Sequence, residues 1–145
     1  MKTFKILLPV IAFLFCFSQV PAQEMKAEKY ENLEWYSISF IKWEDGKAGD
    51  AKKIIEEYYK PSARNSGQEL PVMELDLLFS EWDHIVIFPM EEGIEALEWK
   101  TSPGDVAWIN AFNKLVGGEE KGKKIFEEFS SYIKEMKTQL ARKHN

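Results

Sequence analysis

From Trp35 to Trp43 the chain alternates, with Tyr36, Ile38 and Phe40 on one side and Trp35, Ser37, Ser39, Ile41 and Trp43 on the other. Period two in a run rich in aromatic and β-branched residues predicts a strand, which Glu44-Asp45-Gly46 ends. The period then changes. Ala48, Ala51, Ile54, Ile55 and Tyr58 fall at helical spacing, with Lys52, Lys53, Glu56 and Glu57 on the opposite face, so 47–59 reads as a helix that Pro61 kinks or ends. Alternation returns over 70–79, where Met73, Leu75, Leu77 and Phe79 oppose Val72, Glu74, Asp76 and Leu78, and again over 83–88. The two runs are close enough to form a hairpin, and Pro89 stops the second.

Beyond Met90 the pattern is helical to the end, in three pieces. The first is 91–99. The second opens at Ser102-Pro103 with serine as cap, carries Val106, Ile109, Phe112, Leu115 and Val116, and stops at Gly117-Gly118. The third starts near Glu119 with the stripe Ile125, Phe129, Tyr132, Ile133, Met136 and Leu140. Trp99 and Trp108 bracket a Thr-Ser-Pro-Gly connection and read as anchors of helix packing. The order β-α-β-β-α-α-α predicts an α+β domain of the ferredoxin-like split βαβ kind. It has a small antiparallel sheet, helices on one face and a helical C-terminal half.

The N-terminus has a different character. Lys2 and Lys5 precede an apolar run, Ile6 to Phe17, and Val20 and Ala22 supply the small residues of a cleavage site. This order predicts a secretory signal peptide over 1–22, cut after Ala22 to release the protein to the periplasm or medium. The run is about half the ~20 apolar residues of a membrane span, so no span is expected after cleavage. A polar lead-in over 23–32 and one α+β domain over 33–140 follow. Cys16, the only cysteine, leaves with the leader, so no disulfide is expected. The formal charge of −5 becomes more acidic by two when Lys2 and Lys5 are removed. An acidic surface repels phosphate backbones, which argues against nucleic acid as a partner.

With that layout the chain resembles the dimeric α+β barrel superfamily of ferredoxin-like domains. Trp35–Trp43 running into Gly46-Lys47-Ala48 and the segment Glu81-Trp82-Asp83-His84-Ile85-Val86-Ile87-Phe88-Pro89 carry the resemblance, which spans roughly 33–135. It implies a homodimer whose subunits bring their open sheet faces together around a small cavity. Members of the superfamily include cofactor-free oxygenases, small-molecule isomerases and haem-handling proteins. The chain departs from the pattern in lacking a recognisable fourth strand; the sheet is incomplete or the strand lies near the C-terminus. No catalytic motif of a particular member is matched, and none is carried over.

If Tyr36, Ile38, Phe40, Met73, Leu75, Leu77 and Phe79 face the helices, parity places Ser37, Ser39, Glu74 and Asp76 on the open face, bordered by Trp35 and Trp43. A three-residue turn, Glu81-Trp82-Asp83, would pair Phe79 with Ile85 and Leu77 with Ile87, adding His84 to the polar set; a one-residue slip would reverse it. His84 as proton shuttle with Glu74 or Asp76 as partner is the expected catalytic group, and Ser37, Ser39, Trp35 and Trp43 the expected ligand contacts. The same acids and histidine are ligand types for a divalent metal, but one histidine with two acids is too thin a pattern, and neither metal nor cofactor is assigned. The bland alternative is a solvated sheet face, where acids and serines belong. Three functions fit: a dimer binding a small-molecule ligand, a cofactor-independent oxygenase or isomerase, or a structural or protein-interaction module.

Overall fold

The computed structural model describes residues 26–144. The expected leader and its cleavage site lie outside the described residues. Strand β1 spans Glu34–Trp43. A single run of helix follows, built from α1 (Ala48–Ile54), a π turn (Ile55–Tyr59) and α2 (Lys60–Ser66). Next come β2 (Met73–Asp76), β3 (His84–Met90), a 3₁₀ turn (Gly93–Glu98), α3 (Pro103–Val116), α4 (Glu119–Ser131) and β4 (Ile133–Lys143). The strands form one antiparallel sheet in the order β2-β3-β1-β4, with the helices packed on one side. This is the α+β arrangement that the hydrophobic pattern predicts.

The helical C-terminal half is only partly found. The stripe read as one helix to Leu140 breaks at Ser131, and 133–143 runs back along β1 as the fourth strand. Tyr132 closes the turn, its carbonyl accepting from Glu44 N–H at 2.8 Å. Lys, Glu, Gln, Leu and Ala in this segment favour a helix intrinsically. The open edge of β1 offers a row of unpaired backbone groups, and satisfying them outweighs propensities worth a few tenths of a kcal/mol per residue. Strand β4 therefore reaches Lys143.

Both proline expectations also shift. Of the two outcomes expected at Pro61, a kink or an end, the helix does not end there but continues to Ser66, and the irregularity is a π turn just before the proline, in which Lys60 N–H bonds to Ile55 C=O. Strand β3 runs through Pro89, which pairs with Tyr36. Ile87 C=O faces β2, accepting from Val72 N–H at 2.9 Å, and Pro89, two residues on, turns its nitrogen to that same side. There β2 has already ended at Met73, so no ladder bond is lost.

The core sits between β1 and the helices: Ile41 and Trp43 against Ala51, Ile54 and Tyr132, with Val86, Ile125 and Phe129 packed around them. This reverses the expected sidedness. Ile41, Trp43 and His84 are buried under the helices, whereas Met73 and Leu75 are exposed on the outer face. The hairpin register differs too, with Met73 opposite Ile87, Leu75 opposite Ile85 and Asp76 opposite His84. Leu77 and Phe79 belong to a longer connection, in which Phe79 stands fully exposed at φ +60°. Parity survives the change of register, so His84 still shares a face with Glu74 and Asp76. That face is the helix side.

Candidate functional site

The site begins with the helix that crosses the sheet. Its π turn inserts one residue into the helical repeat, which brings Lys60 round to the side of the helix that holds Lys52. Both lysines then reach β2. Lys52 Nζ lies 2.5 Å from Asp76 Oδ2, and Lys60 Nζ lies 2.8 Å from Glu74 Oε2 and 2.5 Å from Glu56 Oε1. Beside the turn, two backbone carbonyls also accept from side chains. Ser62, fully buried, donates to Tyr58 C=O at 2.6 Å, and Trp108 Nε1 donates to Tyr59 C=O at 3.4 Å.

His84 opens β3 and is 7% exposed, its ring 6.2 Å from that of Trp43. Its Nδ1 is 3.0 Å from Asp76 Oδ1. Lys52, and then His84 itself, hold the Asp76 carboxyl below its ordinary value, so it is ionised and can only accept. Nδ1 is therefore the donor to Asp76, and in the neutral ring Nε2 is the nitrogen free to accept. The neighbouring Asp83 does structural work: its carboxylate accepts from Trp43 N–H at 2.9 Å and its own N–H donates to Ile41 C=O at 3.0 Å.

Around these groups the helices stand off the sheet and leave a cleft of about 490 Å³. Ile41, Ile55, Val86, Phe88, Trp108 and Phe129 supply apolar wall; Ser39, Tyr59, Lys60, Glu74 and His84 supply polar groups. A second hollow of about 270 Å³ adjoins it, sharing Ile55, Glu74 and His84 and adding Lys52, Glu56 and Asp76. Ser39 Oγ is 2.9 Å from Thr138 Oγ1 on β4. The Tyr59 hydroxyl is buried without a hydrogen-bond partner among the described residues, and burial pushes its pKa up. Its ring is wedged among Trp108, Phe112 and Phe129 at 4.9–5.6 Å.

Of the residues expected at the site, Ser39, Glu74 and His84 line the cleft together, with Asp76 behind His84 in the adjoining hollow. Ser37 shares their face but is not among the lining residues. Trp43 is 4% exposed and belongs to the core, packing against Phe129 at 5.9 Å. Trp35 packs under Gly93 at the start of the 3₁₀ turn. The sequence reading missed Lys52 and Lys60, because lysines opposite an apolar stripe look solvated, and Tyr59, whose direction depends on the π turn. Trp108 anchors helix packing as expected, edge-on 5.3 Å from Tyr59, and also lines the cleft, whereas Trp99, expected to do the same, is exposed and donates to Glu92. Among the described residues, no three His, Cys, Asp or Glu side chains are grouped to hold a metal ion, and no helix is long and apolar enough to cross a membrane.

The chain matches no protein-family model and no curated protein sequence. Its fold has solved counterparts. A crystal structure of a NIPSNAP family protein with unknown function from Agrobacterium tumefaciens aligns at a TM-score of 0.50 and 10% identity, over 83% of this chain and 96% of that one. A second NIPSNAP family protein from the same organism aligns at 0.48 and 11% identity, over 83% and 93%. At such identity the first likeness extends to the fold: a four-stranded antiparallel sheet with helices on one side.

Proposed function

We propose that this chain is an exported, homodimeric, small-molecule-binding domain: a leader through Ala22 is removed, a polar lead-in follows to Asn32, and one domain binds its ligand in the cleft between sheet and helices. The observation that carries the reading is the cleft itself. Its volume lies within the ~300–1,000 Å³ of ordinary ligand sites, and a few polar groups converge inside largely apolar walls. Export is supported by the order of Lys2, Lys5, Ile6–Phe17 and Val20-Pro21-Ala22. Dimerisation is supported by the outer sheet face, where Ile38, Phe40, Met73, Leu75, Ile85 and Ile87 stand in adjacent registers with no helix over them. Contiguous apolar surface of this kind marks interaction sites. The polar set of Ser39, Glu74, Asp76 and His84 lies on the other side, so the ligand cleft belongs to each subunit separately.

Three measurements test this. Sedimentation of the purified protein gives a dimer, and Leu75→Lys with Ile85→Lys converts it to monomer. Nile red, a neutral apolar dye, binds once per subunit and is lost in Trp108→Ala. The exported protein begins at Gln23. A monomer at every concentration, a failure to bind the dye, or an intact Met1 on the exported chain would each remove the corresponding part.

A second reading, a cofactor-independent oxygenase or an isomerase, draws on the Asp76–His84 contact. Asp76 fixes the tautomer and Nε2 serves as general base. His84→Gln would then retain Nile red binding while abolishing turnover; a variant that turns substrate over at the native rate would exclude it.

A further inference from the structure

A 3₁₀ helix has three residues per turn, so Gly93–Glu98 sorts into rows three residues apart. Gly93 and Ala96 form the half-buried row, and the space where a Gly93 side chain would stand is taken by the Trp35 ring. The other two rows face solvent. One is Ile94 with Leu97, 55% and 57% exposed, and the other is Glu95 with Glu98. This reverses the usual sorting of a surface helix, which turns its large apolar residues inward. Trp99, next in the chain, is 52% exposed and held in place, its Nε1 donating to Glu92 at 3.2 Å. Exposed apolar side chains grouped in this way mark interaction surfaces, and a fixed tryptophan is a common anchor of them. The segment 91–99 also carries four glutamates and no lysine or arginine. Among the described residues, Glu95 and Glu98 are not paired. Trp35 shares the helix side of β1 with Ile41 and Trp43, so this surface is separate from the outer sheet face.

We propose that this surface docks a basic amphipathic segment of another protein, its apolar residues against Ile94, Leu97 and Trp99 and its lysines or arginines against Glu95 and Glu98. Charge complementarity selects that occupant. An anionic bilayer is repelled by the acids. A second copy of this chain has a basic strand, β4, but two of its cations are engaged: Arg142 lies over the Tyr30 ring at 5.1 Å, and Lys143 Nζ is 3.2 Å from Glu34 Oε2. The docking surface depends neither on the ligand cleft nor on the dimer.

Fluorescence anisotropy of a labelled leucine–lysine amphipathic peptide, titrated with the purified protein, tests this, with a leucine–glutamate peptide as control. The basic peptide is expected to bind about tenfold tighter than the acidic one, and salt at ~0.5 M to weaken it. Glu95→Gln/Glu98→Gln should weaken the basic peptide about fivefold and Ile94→Ser/Leu97→Ser about tenfold. All four positions are exposed, so the circular dichroism spectrum should not change. Glu119→Gln/Glu120→Gln, an equally exposed acidic pair opening α4, should bind the peptide like the native protein. The proposal is overturned if the native protein fails to bind the basic peptide or binds both peptides equally. Native-like binding by either patch variant, or an equal loss in the α4 pair, overturns it too. So does a native protein that associates beyond a dimer and loses that association in Ile94→Ser/Leu97→Ser, because the occupant is then a second copy.

Discussion

Lys60 Nζ lies 2.8 Å from Glu74 Oε2, while Lys52, eight residues earlier, holds Asp76 two positions along the same strand. On a regular helix, residues eight apart point about 80° away from each other. One residue inserted by the π turn reduces that to about 20°, so two lysines of one helix can serve two alternate carboxylates of one strand. The wall of the cleft follows from this phase shift.

Replacing Lys60 by methionine should therefore cost stability. Its side chain is 17% exposed and that of Glu74 30%, so the substitution leaves two carboxylates, Glu56 and Glu74, without their cation in a partly shielded place. A loss of about 1 kcal/mol is expected by urea denaturation, shrinking in high salt. An unchanged midpoint would mean the pair contributes nothing.

Asp76 predicts a dependence on pH. Its folded pKa is depressed below 3.8 by Lys52 first and His84 second, so its contribution is fully present above pH ~4 and is lost as pH falls through the folded value. The stability gap between the native protein and Asp76→Asn should be constant from pH ~5 upward and close on acidification below ~4. A gap that widens in acid would contradict the assignment.

The helix just past the π turn is testable through Ser62. Alanine there leaves Tyr58 C=O without its 2.6 Å donor at a fully buried position, at an expected cost of about 1–3 kcal/mol in thermal or urea unfolding. Cysteine, a weaker donor of similar size, should recover part of the loss.

Phe79 offers the opposite sign. It holds φ +60° with its ring in solvent, so no packing offsets the conformational cost. Asparagine tolerates that backbone region, as Asn32 at φ +55° already does. Phe79→Asn should stabilise the protein by about 0.5–1 kcal/mol, seen as a rise in Tm. A fall in Tm would show that the ring is covered by something in solution.

Local periodicity determined much of this protein. Alternation over 35–43 and the switch to helical spacing at Ala48 name β1 and the first helix, and parity put Ser37 with Ser39 on one side of β1 and Glu74 with Asp76 on one side of β2, while the side of His84 depended on a turn register that local pattern left open. That information is carried by neighbours two to four residues apart, where the pattern is unambiguous. Three things needed the folded chain. Which sheet face the helices cover was undecided locally, because both faces of β1 carry large apolar side chains; packing of Ile41 and Trp43 on Ala51 and Ile54 settled it. Acids facing the helices looked forbidden until Lys52 and Lys60 arrived from across the layer to neutralise them. Residues 133–143 took the strand form because an unpaired edge ninety residues back in the chain had backbone groups to satisfy, and no local propensity records a partner that distant.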